Sequence, residues 1–164
     1  MIFRPLALAF VLGLSLTAWA QTAVDALDWQ EGEVPPPPAF DAGKLLKFDV
    51  SSGSSLVYGV DPSSLSIGKD GIVRYVVVAT SASGARNVLY EGLRCSSGEF
   101  KTYARYAPEG LWRDVEQPQW HSMFGNMPSR HALKFARVGA CDNSAPASSV
   151  GEIVRQLKTQ GYSR

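Results

Sequence analysis

The sequence is poor in the residue types and spacings that most often mark an enzyme. It holds two histidines and two cysteines among 164 residues. His121 and His131 stand well apart, outside any HExxH or cysteine-flanked pattern, so they form no metal set and read as surface or helix-packing residues. Cys95 and Cys141 are distant, and without a CxxC the thiols give no redox motif. No GxSxG occurs, and the Ser-Ser pairs fall at turns, where hydroxyls bond the local backbone. Charge of one sign is lacking too, with 16 Lys and Arg against 15 Asp and Glu and no basic run. Nothing electrostatic therefore draws nucleic acid or anionic lipid. No cofactor and no metal are expected.

What is present begins with an address. In MIFRPLALAFVLGLSLTAWAQTA, Arg4 supplies a short positive region, Leu6 to Leu16 an apolar run, and Ala18-Trp19-Ala20 small residues at both recognition positions. That is a secretory signal, with cleavage expected after Ala20. The apolar run falls short of the ~20 residues that span a bilayer. No cysteine follows the cleavage point, so no stable membrane anchor is expected, lipid or helical. Loss of Arg4 with the leader brings basic and acidic residues into balance. The remaining chain has the length of one domain. Outside the reducing cytoplasm, an isolated cysteine pair is most simply a disulfide, Cys95 to Cys141.

Residues 21 to 43 read as an arm. They are acidic and carry Pro35 to Pro38, a run that fixes φ and lacks N–H donors, as polyproline II does. The arm is expected to be a stiff spacer lying on its own domain, pinned by Trp29 and dispensable for folding. Docking into a partner's aromatic groove is the other use of such a segment.

Residues 44 to 164 read as one domain. LLKFDV, SLVYGV and SLSIG alternate, with Asp61-Pro62-Ser63-Ser64 as a turn. Lys69-Asp70-Gly71 predicts a hairpin into Ile72 to Thr80, which places Val73, Tyr75, Val77 and Ala79 on one face and Arg74, Val76 and Val78 on the other. Turns at Ser83-Gly84 and Ser96-Ser97-Gly98 lead into NVLYEGLRC and EFKTYARYA. In the first of these, Leu89, Leu93 and Cys95 share a face with Glu91. PEGLWRDVEQPQWHSMFGN is irregular, with Trp112 and Trp120 turned inward. A short helix is expected from Pro128-Ser129 to about Arg137. Ser149 and Glu152 make a capping box for a final helix whose Val150, Ile153, Val154 and Leu157 form one stripe. The expected fold is α+β: one antiparallel meander of five to six strands, with C-terminal helices on one face.

WQEGEVPPPP, VDPSSLSIGKDGIVRYVVV, SGARNVLYEGLRCSSGEFKTYA and GLWRDVEQPQW, in that order, cover much of the chain. On these stretches it resembles the cryptic neisserial protein-like family of small exported bacterial proteins. The resemblance implies periplasmic or secreted location and brings no catalytic residues.

Carboxylates Asp49, Asp61, Asp70 and Glu91 are scattered over strands and turns, and none is singled out as an acid or base. The candidate binding face is aromatic and basic: Tyr90 with Arg94, and Tyr103 with Arg105, sharing faces by alternation. An open floor of that kind suits a peptide, a glycan or a carboxylate on an envelope partner. The alternative for these arginines is pairing with Glu91 or Glu99. Two functions follow: a non-enzymatic envelope protein that binds or supports, and a small periplasmic hydrolase with an unrecognised site. The first is preferred, so no histidine, serine or carboxylate is expected to be catalytic.

Overall fold

The structure is a computed structural model and describes residues 29–51 and 54–161. The signal sequence and its cleavage point lie outside the described residues. The chain divides into two compact units, 1–30 and 31–164. Of the first, Trp29 and Gln30 are described, in neither helix nor strand.

The second unit is built on antiparallel pairing. Its strands are β1 (Leu46–Phe48), β2 (Val57–Val60), β3 (Ser66–Ile67), β4 (Ile72–Thr80), β5 (Arg86–Arg94), β6 (Glu99–Tyr106), β7 (Trp112–Asp114) and β8 (His121–Ser122). The order across the sheet is β1-β2-β4-β5-β6-β7, with β3 also pairing β4 and β8 pairing β6. β4 is interior and buried on both faces, as its continuous apolar sequence requires. The turn into it is the expected one, with Gly71 at φ +77°, a conformation that glycine adopts without strain.

The sheet has eight strands rather than five to six, and β9 (Cys141–Asp142) with β10 (Ala145–Pro146) forms a separate small ladder. The extra members β7 and β8 are three and two residues long. Pieces so short show no alternation, and their pairing is decided by the long strand beside them.

Two helices follow, α1 (His131–Phe135) and α2 (Val150–Gly161). α1 starts later than expected and widens into a π-type turn over Ala136–Ala140, where Gly139 sits at φ +135°. A side chain at Gly139 would come within 2.6 Å of Gln156 Cβ, so this glycine lets the turn and α2 approach closely. Ser149 Oγ accepts the Glu152 N–H at 3.2 Å, which caps α2 as its sequence predicts. Ile153 and Leu157 are fully buried, with Val150 and Val154 packed beside them. The main core lies between these helices and the face of β4 and β5 that carries Val73, Tyr75, Val77, Leu89 and Leu93. Cys95 and Cys141 are bonded, with Cα atoms 5.7 Å apart, and tie β5 to the turn after α1.

The opposite face is covered as well. Val76, Val78, Val88, Tyr90, Tyr103 and Ala104 form a second apolar cluster, and Val34, Phe40 and Leu45 pack against it. From Glu31 onward the arm is therefore part of the compact unit, with Val34 and Phe40 packed on the second cluster. The physical reason is spacing. Val34 and Phe40 flank the prolines, so a segment without helical or strand period still presents two apolar side chains to a face that needs covering. Phe40→Ala is expected to lower stability by about 1–2 kcal/mol, less than for a fully buried phenylalanine because Phe40 is only partly buried. A shift in the urea midpoint reads this out. No shift would return the arm to the role of a spacer.

Candidate functional site

The four residues singled out by alternation do not form one open floor. Tyr90 and Tyr103 do come together, their ring centroids 5.4 Å apart, but they are 2% and 7% exposed. Arg94 faces Glu99 at 3.6 Å. Arg105 is carried away by a bulge. Tyr90 pairs with Ala104 while Glu91 pairs with Thr102, so Tyr103 is the extra residue on β6. Beyond it the faces exchange, and Arg105 lies opposite Leu89 on the helix side.

The cations on the arm side are Arg74 and Lys101 instead. Lys101 Nζ donates to Glu31 Oε2, and Tyr103 Oη donates to Glu31 Oε1 at 2.6 Å. Arg74 holds Asp70 through two bonds of 2.6 and 3.2 Å and stands 3.9 Å from Glu31. Asp70 also accepts the Gly32 N–H at 3.0 Å, and Asp61 accepts the Asp41 N–H at 2.8 Å. Burial works against the Asp70 charge, but the Arg74 guanidinium and the Ile72 and Gly32 amides outweigh it and lower its pKa. Between these anchors Phe40 meets Tyr106 edge-on at 5.0 Å and Trp112 at 5.9 Å. The groove thus holds a carboxylate at one end and an aromatic ring at the other, with prolines between.

A second polar group lies across the sheet, inside the main core. Glu91 is fully buried. It accepts hydrogen bonds from Tyr75 Oη at 3.0 Å and Thr102 Oγ1 at 3.0 Å, and His131 Nε2 is 2.8 Å from Oε2. His131 Nδ1 is 3.0 Å from Ser129 Oγ, which is 2.9 Å from Tyr58 Oη. Tyr58 also stacks on the imidazole, with centroids 5.6 Å apart and planes within 3°. Burial and the Glu91 charge push the Tyr75 phenol pKa well up.

For His131, burial opposes the positive charge, but the Glu91 carboxylate and its hydrogen bond prevail and raise the pKa above the ordinary 6.5. A folded-state pKa above the unfolded one means that the native state holds the proton more tightly. This stabilisation is complete below about 6.5 and is lost as pH rises through the folded value. The urea midpoint is therefore expected to fall on moving from mildly acidic to mildly alkaline buffer, and His131→Gln to flatten that slope. A flat wild-type profile would show that the proton is not held.

Sequence reasoning passed over this cluster, although one signal was available. Glu91 shares a strand face with Leu89, Leu93 and Cys95, and a carboxylate on an apolar face must find donors. Which donors it finds depends on the tertiary approach of α1. His121, by contrast, is exposed on β8. Among the described residues, no group of three or more His, Cys, Asp or Glu could hold a metal ion. No curated protein and no solved structure matches the chain. Residues 24–158 match the model of the CNP1-like family.

Proposed function

Because the chain belongs to the CNP1-like family, we propose that it is an exported bacterial envelope protein that works by binding, through the sheet face now filled by its own arm. The disulfide supports an oxidising compartment, and no described helix is long and apolar enough to cross a membrane. The narrower likeness to cryptic neisserial protein agrees with the same address. An intact mass beginning at Gln21 in periplasmic or secreted material is the expected result for export, and retention of residues 1–20 would overturn it.

The observation that carries the binding reading is the seating of Glu31 to Phe40. An acidic, proline-containing segment lies in an aromatic groove with its carboxylate on Lys101 and Tyr103. Proline-rich segments suit aromatic grooves because little conformational freedom is lost on docking. The ligand implied is an extended peptide of an envelope partner with a carboxylate, prolines and a following aromatic residue. A labelled synthetic peptide of residues 29–43 tests this against the full chain. It should bind a Glu31→Ala, Phe40→Ala chain at least about tenfold more tightly than the wild type, since weakening the resident arm by ~1.4 kcal/mol opens the groove by that factor. Equal binding to both would overturn the reading.

A further inference from the structure

On the helix side of the sheet, side chains from three segments stand in line. Ser129 lies in the loop before α1, His131 opens α1, and Glu91 projects from β5. Proton positions follow from the carboxylate outward. Glu91 already accepts from Tyr75 and Thr102, and it accepts from His131 Nε2–H as well. Neutral His131 then presents a lone pair at Nδ1, to which the Ser129 hydroxyl donates at 3.0 Å. The Ser129 oxygen in turn accepts the His131 backbone N–H at 3.3 Å and the Tyr58 hydroxyl at 2.9 Å. A hydroxyl bonded to a base, with that base held by a buried acid, is how a serine is activated. Nδ1 rather than Nε2 faces the serine here, and either imidazole nitrogen can take the proton.

Exposure is graded as such a site requires. Glu91 is fully buried, His131 is 7% exposed, and Ser129 is half-buried. Ser129 also lines an open cleft of about 460 Å³ together with Leu56, Tyr58, Met127, Pro128 and Arg130. That volume lies in the range of small-molecule sites. Leu56, Met127 and Pro128 form a small apolar patch in a lining that Ser51, Ser54, Ser55 and Arg130 make mostly polar, which leaves room for a small acyl group.

We infer that Ser129 is an acyl-accepting nucleophile, with His131 as its general base and Glu91 positioning that base, acting on carboxylic esters of small acids. This goes beyond the binding reading and departs from the expectation that no serine or histidine is catalytic. It also stands independently, since the groove lies on the other face of the sheet. In the first step the Ser129 proton passes to Nδ1 as Oγ bonds to the acyl carbon and the carbonyl π pair moves onto oxygen. The pair returns, the bond to the alcohol oxygen breaks, and that oxygen takes the proton from Nδ1. Water then attacks the acyl-serine, gives its proton to Nδ1, and Oγ leaves with that proton. The net reaction is ester plus water to acid plus alcohol. Attack requires Ser129 Oγ to release the Tyr58 hydroxyl, which frees a lone pair for the acyl carbon.

The test is a fluorophosphonate probe on the full chain, with the adduct mapped by peptide mass. One adduct is expected, on Ser129. Its rate should rise with pH as His131 gives up its proton; besides Glu91, the groups facing His131 are Tyr58, Ser129 and, through Glu91, Tyr75. His131→Gln should slow labelling about a hundredfold or more. Hydrolysis of p-nitrophenyl butyrate should be lost in Ser129→Ala, whose melting confirms that it folds. The wild-type map needs no variant. An absent Ser129 adduct, under conditions that label a reference serine esterase, overturns the inference, and so does labelling spread over surface residues.

Discussion

Glu91→Ala is expected to remove roughly 3–5 kcal/mol of stability, the cost of taking one partner from a buried, hydrogen-bonded charge pair. The alanine would leave the buried Tyr75 hydroxyl and His131 Nε2–H, and the partly buried Thr102 hydroxyl, without their acceptor. It would also open a cavity in the buried stretch of β5. Glu91→Gln keeps the volume and part of the bonding but removes the charge that holds the His131 proton, so it should cost less. It should also abolish the decline of stability with rising pH. Urea unfolding of the three chains at two pH values separates these effects. A loss below about 1 kcal/mol for the alanine variant, the level of one ordinary hydrogen bond, would mean that the cluster rearranges around the gap.

Cys95→Ser and Cys141→Ser come next in size. The bond closes a loop across a sequence separation of 46 residues. Loop-closure entropy assigns such a link roughly 4 kcal/mol, less any strain in the native state. That is a large share of the ~5–15 kcal/mol that holds a domain of this size together. The two substitutions should be equally costly and should not add, since either one opens the same loop. Melting in the presence of reductant should reproduce both. Mapping of the unreduced protein should recover Cys95 and Cys141 in one linked pair, and free thiols in exported material would refute the prediction.

The long strands were legible because their signals are local. β4 has alternating faces and an Asp-Gly turn before it, and both depend only on neighbours in sequence. The stripe and cap of α2 are likewise local. The β6 bulge was not legible: alternation predicts that Tyr103 and Arg105 share a face, and one inserted residue reverses it. Nothing in EFKTYARYA marks where the extra residue falls, because it is the register against β5 that decides. The arm's two contact points were not legible for a related reason. Periodicity detects elements that bury a repeating face, whereas Val34 and Phe40 are two isolated anchors. The Ser129, His131 and Glu91 cluster was invisible to motif reading because its members come from a loop, a helix start and a mid-strand position. The absence of GxSxG excludes one way of mounting a serine, not the chemistry.

The arm's anchoring also bears on the order of assembly. Glu31 meets Lys101 and Tyr103 across 70 and 72 residues of chain. Closing so long a loop yields nothing until β4, β5 and β6 have paired, so the groove must exist before the arm can seat in it. A segment that joins last and contributes no strand is also free to leave first, while the sheet beneath stays paired. The amides of β4 and β5 should therefore exchange with solvent only on global unfolding, and those of Gly32 and Asp41 far sooner, through a local opening. In such a fold, exposing Tyr90 and Tyr103 does not require unfolding the protein.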